Sequence, residues 1–327
     1  MKKNRLLTMT AAIIVLAGCD ISNLNFPYLG NGKISEMSIQ KLEELNSIES
    51  NVELGRRYVN GVGVKINSKL AYGYYLKAAE QGDKQAMLKI SDLILNDESN
   101  EYESDLAYKW IKKLADLGDD EQALKYARHL AYVANGTTHL FGKIEDEDVN
   151  GKQYVKYLEQ SAAAGSAEAK YYYGIGLISG VSNQNRIDQD VKENKTTDKT
   201  LKIFLKSDPE NGLAQLRESS DKGYWRAHWA LAVIYQSGFN SISPDKEKSE
   251  IYWTKLDQQE DSKSQGEIAW NYFEFSPNYY KGNNKYHGKI LSYTETNLIA
   301  IDWFKKAALN DNPNALSKLG DLYSEGD

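Results

Sequence analysis

The side chains best able to do chemistry are few and scattered. The chain has one cysteine, Cys19, and four histidines, His129, His139, His228 and His287. A metal site on a helix needs ligands at short helical spacing, and no histidine here has a second His or a Glu so placed. No serine lies in a G-x-S-x-G turn, and no glycine-rich loop leads into a Lys-Ser or Lys-Thr pair. The densest acidic run, Glu145, Asp146, Glu147 and Asp148, sits in polar sequence and reads as a solvated loop before it reads as an acid-base pair. A lone cysteine leaves no disulfide or thiolate cluster to build. These residues predict a chain that is not an enzyme, takes no metal or cofactor, and is held together by packing alone.

The aromatic residues divide into two sets. Tyr74, Tyr75, Trp110, Tyr157, Trp253, Trp303 and Phe304 recur at one place in a repeating pattern, which marks them as packing residues. Tyr171, Tyr172, Trp225, Trp229, Tyr279 and Tyr280 fall outside that pattern. Exposed Tyr and Trp are favoured anchors at interfaces, so these six are candidate partner contacts, the alternative being that they cover long loops. The acidic run joins them as a patch that could steer a basic partner and raise its association rate.

Met1 to Cys19 reads as an export segment. Lys2, Lys3 and Arg5 precede an apolar run from Leu6 to Leu16 that is too short to span a bilayer. Leu16-Ala17-Gly18-Cys19 resembles the lipobox of bacterial lipoproteins, and that resemblance implies cleavage before Cys19, acylation of its sulfur and an extracytoplasmic location on a membrane surface. Asp20 resembles the signal that retains enterobacterial lipoproteins at the inner membrane. Residues 1–18 are thus expected to be a signal peptide, 19–36 a lipidated tether rich in turn formers, and 37–327 the folded part. The net charge of −6 becomes about −9 without Lys2, Lys3 and Arg5, a balance poorly suited to nucleic acid.

The folded part is repetitive, and its clearest unit runs from Leu54 to Ala86. Leu54 and Tyr58 share one helical face, with Gly55 between them as a notch for a neighbouring helix. Gly61 and Gly63 break that helix A. Helix B is capped by Asn67 or Ser68 and turns Leu70, Ala71, Tyr74, Tyr75, Ala78 and Ala79 inward before Gly82 closes it. Worn copies follow, and the last is clear again in Trp303, Ala307 and Ala308, then Leu319, Gly320 and Tyr323. A short helix over Ser38 to Ile48 is expected to cover the leading end.

This pattern resembles the Sel-one-like repeat, a relative of the tetratricopeptide repeat. The resemblance implies an all-α, right-handed α-solenoid of stacked helix-turn-helix repeats, in which each unit buries its neighbour's apolar face. Placing Leu at Ala78 or Ala307 should overpack such contacts by roughly 1 to 3 kcal/mol. Three polar stretches, roughly Gly136 to Lys152, Val181 to Glu210 and Glu274 to Asn297, interrupt the array, and long loops inside a compact fold are commonly functional. Lipoproteins with such repeats resemble immunity proteins that neutralise secreted antibacterial phospholipases. The resemblance therefore implies a protein partner such as a periplasm-acting toxin, with an envelope adaptor as the alternative role.

Overall fold

The computed structural model describes residues 33–96, 104–135, 149–182, 203–274 and 285–325. The chain divides into two compact units, residues 1–93 and 94–327. Among the described residues there are fourteen α-helices and two small antiparallel strand pairs, and none of those helices is long and apolar enough to cross a membrane.

In the first unit a 3₁₀ turn, Ile34–Glu36, and a short helix α1, Ile39–Leu45, precede the hairpin of α2, Ile48–Asn60, and α3, Ser68–Glu80; α4, Lys84–Leu95, follows. Leu42 of α1 is fully buried, so the short leading helix does cover apolar surface. Arg57 of α2 pairs with Glu53 at 2.8 Å and donates to the Ser35 carbonyl at 2.9 Å, which ties the leading turn to the first hairpin. Gly61 ends α2 at φ 71°, a left-handed conformation that Gly adopts without a Cβ penalty. Asn67 caps α3 by accepting from the Leu70 amide, and the apolar face that follows, Ala71, Tyr75, Ala78 and Ala79, is buried. Leu70 is a correction: it is 44% exposed, because it lies in the first turn of α3, off that stripe.

The second unit continues the alternation. Its helices are α5, Ser104–Asp116; α6, Asp120–Asn135; α7, Val149–Ala163; α8, Ala167–Ser179; α9, Pro209–Asp221; α10, Trp225–Ser237; α11, Lys246–Asp257; α12, Ser262–Glu274; α13, Tyr293–Leu309; and α14, Pro313–Glu325. Five of the turns from a helix B to the next helix A are built alike. The amides of Asp119, Ser166, Tyr224 and Asn312 reach back to the carbonyls of Leu114, Ser161, Ser219 and Ala307, as Asp83 does to Ala78 in the first unit. Each such bond satisfies a carbonyl that the helix end would leave without a partner. Four of these turns place a glycine just before the donor that follows, and the last uses Asp311 at φ 59°. Asp83, Asp119, Ser166 and Asn312 then cap the helix they begin.

Burial is spread along this unit in successive clusters. Tyr157, Leu158 and Ala123 form one, Leu216, Leu231 and Tyr235 another, and Trp253, Ile268, Trp303 and Phe304 a third. This is the all-α solenoid packing that the repeat predicts. The described parts of the interruptions hold regular structure, which corrects their expected extent. Residues 149–152 already belong to α7, 209–210 to α9 and 293–297 to α13. Val181–Ser182 (β1) pairs with Ile203–Leu205 (β2), and Lys285–Tyr286 (β3) with Lys289–Ile290 (β4). Phe204 of β2 lies against Gly151, so one interruption packs back onto α7.

Candidate protein-binding surface

Consecutive A helices α8 and α10 bring four of the six aromatic candidates into the described residues. Tyr171 and Tyr172 are adjacent on α8, their ring centroids 4.9 Å apart, and Tyr171 lies 5.5 Å from Tyr224 at the start of α10. Both are half-buried. Tyr172 packs against the cluster of α6, α7 and α8, and Tyr171 against that of α8, α9 and α10, so the pair bridges two successive repeats. Burial pushes all three phenols above their ordinary range, which keeps them neutral and able to donate. Arg226 lies over the Trp225 ring at 4.6 Å and Arg128 pairs with Glu168 at 3.4 Å. The edge of this patch thus carries charges of both signs beside its rings.

Trp225 departs from expectation. It is 2% exposed, and its indole N–H donates to Glu267 at 2.9 Å. The ring serves the core, because the first turn of α10 faces α12. Trp229, one turn later, is half-buried against the same cluster. Tyr279, Tyr280, the acidic run Glu145 to Asp148, and Cys19 lie outside the described residues.

A second constellation escaped the sequence reading. His287 stands at the tip of the β3–β4 hairpin in a left-handed conformation, φ 45°, with Nδ1 2.6 Å from Glu250 and Nε2 2.8 Å from Asp257. Tyr286 donates to the same Asp257 carboxylate, and both rings cover Trp253. A neutral imidazole can donate from one nitrogen only, so this arrangement calls for the imidazolium. Partial burial opposes the charge, yet the hydrogen bonds that His287 donates to Asp257 and Glu250 prevail and raise its pKa. No local pattern marks it, since the partners sit on α11, 30 to 37 residues away. What it does is pin a hairpin over a core tryptophan.

The other described histidines serve packing. His228 is buried with Nδ1 2.8 Å from the Ser220 hydroxyl, and burial pushes its pKa down to about 4. His129 stacks on Tyr108 with ring centroids 3.4 Å apart. Successive B helices are joined by acids near their ends. Asp116 of α5 accepts from Lys156 and Tyr157 of α7, each at 2.8 Å, and Asp221 of α9 accepts from Lys255 of α11 at 3.0 Å. Burial would raise the Asp116 carboxyl, but hydrogen bonds from Lys112, Lys156 and Tyr157 hold it well below the usual carboxylate range.

The model of the Sel1 repeat matches residues 48–83, 102–119, 225–256 and 297–312. A Sel1 repeat protein from Oxalobacter formigenes shares the fold at 20% identity and a TM-score of 0.52, over 88% of this chain and 70% of that one. A protective antigen of uropathogenic Escherichia coli with an SLR fold aligns at 21% identity and a TM-score of 0.49, over 88% of this chain and 52% of the other. The chain thus spans about half the length of that antigen. The immunity protein PA5088 from Pseudomonas aeruginosa aligns at 13% identity and a TM-score of 0.33, over 87% of this chain and 94% of the other. No curated protein matches the sequence.

Proposed function

From the Sel1 repeats that this chain carries, which make it a protein-interaction module, we infer a tethered binding protein for a single protein partner. We propose that the partner is an antibacterial toxin acting in the periplasm, such as a secreted phospholipase, and that binding neutralises it. The observation that carries the reading is the lipobox-like Leu16 to Cys19 ahead of the repeats. A diacylated cysteine would hold the array at the membrane surface where such a toxin works. Tyr171, Tyr172 and Trp229, half-buried on successive A helices, are the proposed anchors, with Tyr279, Tyr280 and the acidic run Glu145 to Asp148 as further candidates. A patch of rigid aromatic rings fits the composition of interface hot spots.

The test begins with metabolic labelling by a fatty acid in the bacterium that encodes the chain. Label is expected on the wild type and absent from Cys19→Ser. The next step is capture of partners on the chain from Asp20 onward, then a challenge of cells with and without the gene by the captured effector. Survival that depends on the gene is the expected result. Equal killing of both strains would rule out neutralisation.

A further inference from the structure

The loop that closes the first hairpin differs from its counterpart in the second unit. Residues 61–67 join α2 to α3, and their apolar side chains stand out: Val62 is 44% exposed, Ile66 62%, and Leu70, in the first turn of α3, 44%. The loop is nonetheless fixed. The Asn67 amide donates to the Tyr58 carbonyl at 2.9 Å, the Val62 amide to that of Arg57 at 3.1 Å, and the Ile66 side chain lies over Gly61. Residues 238–245, the matching connection between α10 and α11, are held down instead. There Ile242 packs on the cluster of α8, α9 and α10, and Asn240 donates to the Ile178 carbonyl at 2.6 Å.

Charge divides the two loops in the same way. The chain has a net charge of −6, yet between Glu53 and Glu80 it holds five cations, Arg56, Arg57, Lys65, Lys69 and Lys77, and no acid. Glu53 occupies both arginines, and Lys77 lies over the Tyr74 ring. Lys65 and Lys69 remain. Both are exposed, and among the described residues neither has a carboxylate partner. Residues 238–245 contain no cation at all. The leading turn is tied to this same end of α2, because the Ser35 carbonyl accepts from Arg57, four residues before Gly61. Fully extended, residues 20–32 reach at most about 45 Å, so an acylated Cys19 would keep the leading turn within that distance of a bilayer.

We propose that residues 61–70 rest on the anionic phospholipid surface that anchors Cys19, with Val62, Ile66 and Leu70 entering the headgroup region and Lys65 and Lys69 meeting lipid phosphates. This site rests on the reading of Cys19 as an anchor, which supplies the nearby bilayer. A lipid anchor fixes one point only; the second contact sets how the first unit faces the membrane. Residues 21–32 are a poorer occupant, for they offer apolar side chains but no acid and leave both lysines unanswered. A lipid surface answers both kinds of side chain at once, and each lysine beside it raises partitioning about fivefold.

The test is co-sedimentation of the chain from Asp20 onward, which keeps every described residue, with vesicles of phosphatidylethanolamine and phosphatidylglycerol. Because this chain lacks Cys19, the outcome is independent of acylation, which fatty-acid labelling reads separately. Binding is expected to these vesicles and not to phosphatidylcholine alone, and it should fall as salt rises. Lys65→Gln combined with Lys69→Gln should weaken it about twentyfold, and Ile66→Ser several-fold. These variants should melt like the wild type, since the altered atoms face water. Ile66→Cys gives the same chain a single thiol, and an environment-sensitive fluorophore there should shift its emission to the blue on the anionic vesicles. Absence of vesicle binding, or binding indifferent to the two lysines, overturns the proposal whether or not Cys19 is acylated. A fluorophore shielded in solution and released by removing residues 20–32 overturns it as well, since the chain's own segment would then be the occupant. So does a dimer in sedimentation that Ile66→Ser abolishes.

Discussion

The hairpins α2–α3 and α8–α9 make the same contact through very different connections. Residues 61–67 join the first pair, while 180–208 join the second, with β1 and β2 inside that stretch. Still, Gly174 meets Leu216 as Gly55 meets Tyr75. The contact is thus set by a notch and a large side chain, and the connection is free to lengthen because loop closure entropy grows only slowly with length. The second pair is the tighter of the two. There the notch meets another glycine, Gly212, whose carbonyl would lie 2.9 Å from a Cβ on Gly174, while in the first pair the obstacle is a tyrosine ring.

That difference can be broken at its strongest point. A Cβ on Gly212 would stand 2.6 Å from Ile178 and 2.7 Å from the Gly174 carbonyl, and backbone cannot swing aside. Gly212→Ala should therefore destabilise the second unit by about 3 kcal/mol, read as a lower urea midpoint. Gly55→Ala meets the Tyr75 ring at 2.8 Å, which can shift by rotating, so about 1 to 2 kcal/mol is expected, close to the effect of Ala78→Leu. Equal losses at Gly55 and Gly212 would show that both crossings yield alike.

Electrostatic joints sharpen the comparison further. Asp116 accepts three donors but keeps more than a third of its side chain exposed, so solvent screening limits Asp116→Asn to about 1 kcal/mol at neutral pH. Its folded pKa is depressed, so the stabilisation exists above the unfolded carboxylate value of about 4 and fades as pH falls through the folded one. Wild type and Asp116→Asn melts should converge toward pH 2. His287 runs the other way. Its folded pKa is raised, so the pin is complete below about 6.5 and is lost as pH rises through the folded value. Amide exchange of residues 285–290, corrected for intrinsic rate, should quicken on raising the pH, and His287→Gln should remove that step. The smallest effect belongs to Gly320→Ala. With open space around it, this helix-interior change should stabilise by about 0.5 kcal/mol, opposite in sign to Gly55→Ala at the matching position.

How much of this was legible in the sequence depends on the range of the interaction. The L-G-x-x-Y signature, the capping Asn67 and the turn glycines act within one or two helical turns, and a linear reading finds them. Leu70 was misplaced because a helix's first turn can leave the buried stripe, and Trp225 because aromatic character does not tell a core ring from a contact ring. His287 looked isolated because its partners lie on α11, which the chain reaches only by folding back.

Sequence alone determined that this protein is an array of helical hairpins. Helical periodicity, caps and small-residue notches are local properties, and each repeat writes them afresh. Tertiary structure decided which copies of those residues are covered. Gly55 and Gly320 carry the same sequence signal, and one is buried under Tyr75 while the other stands open, because burial belongs to the pair of surfaces that meet and not to either residue.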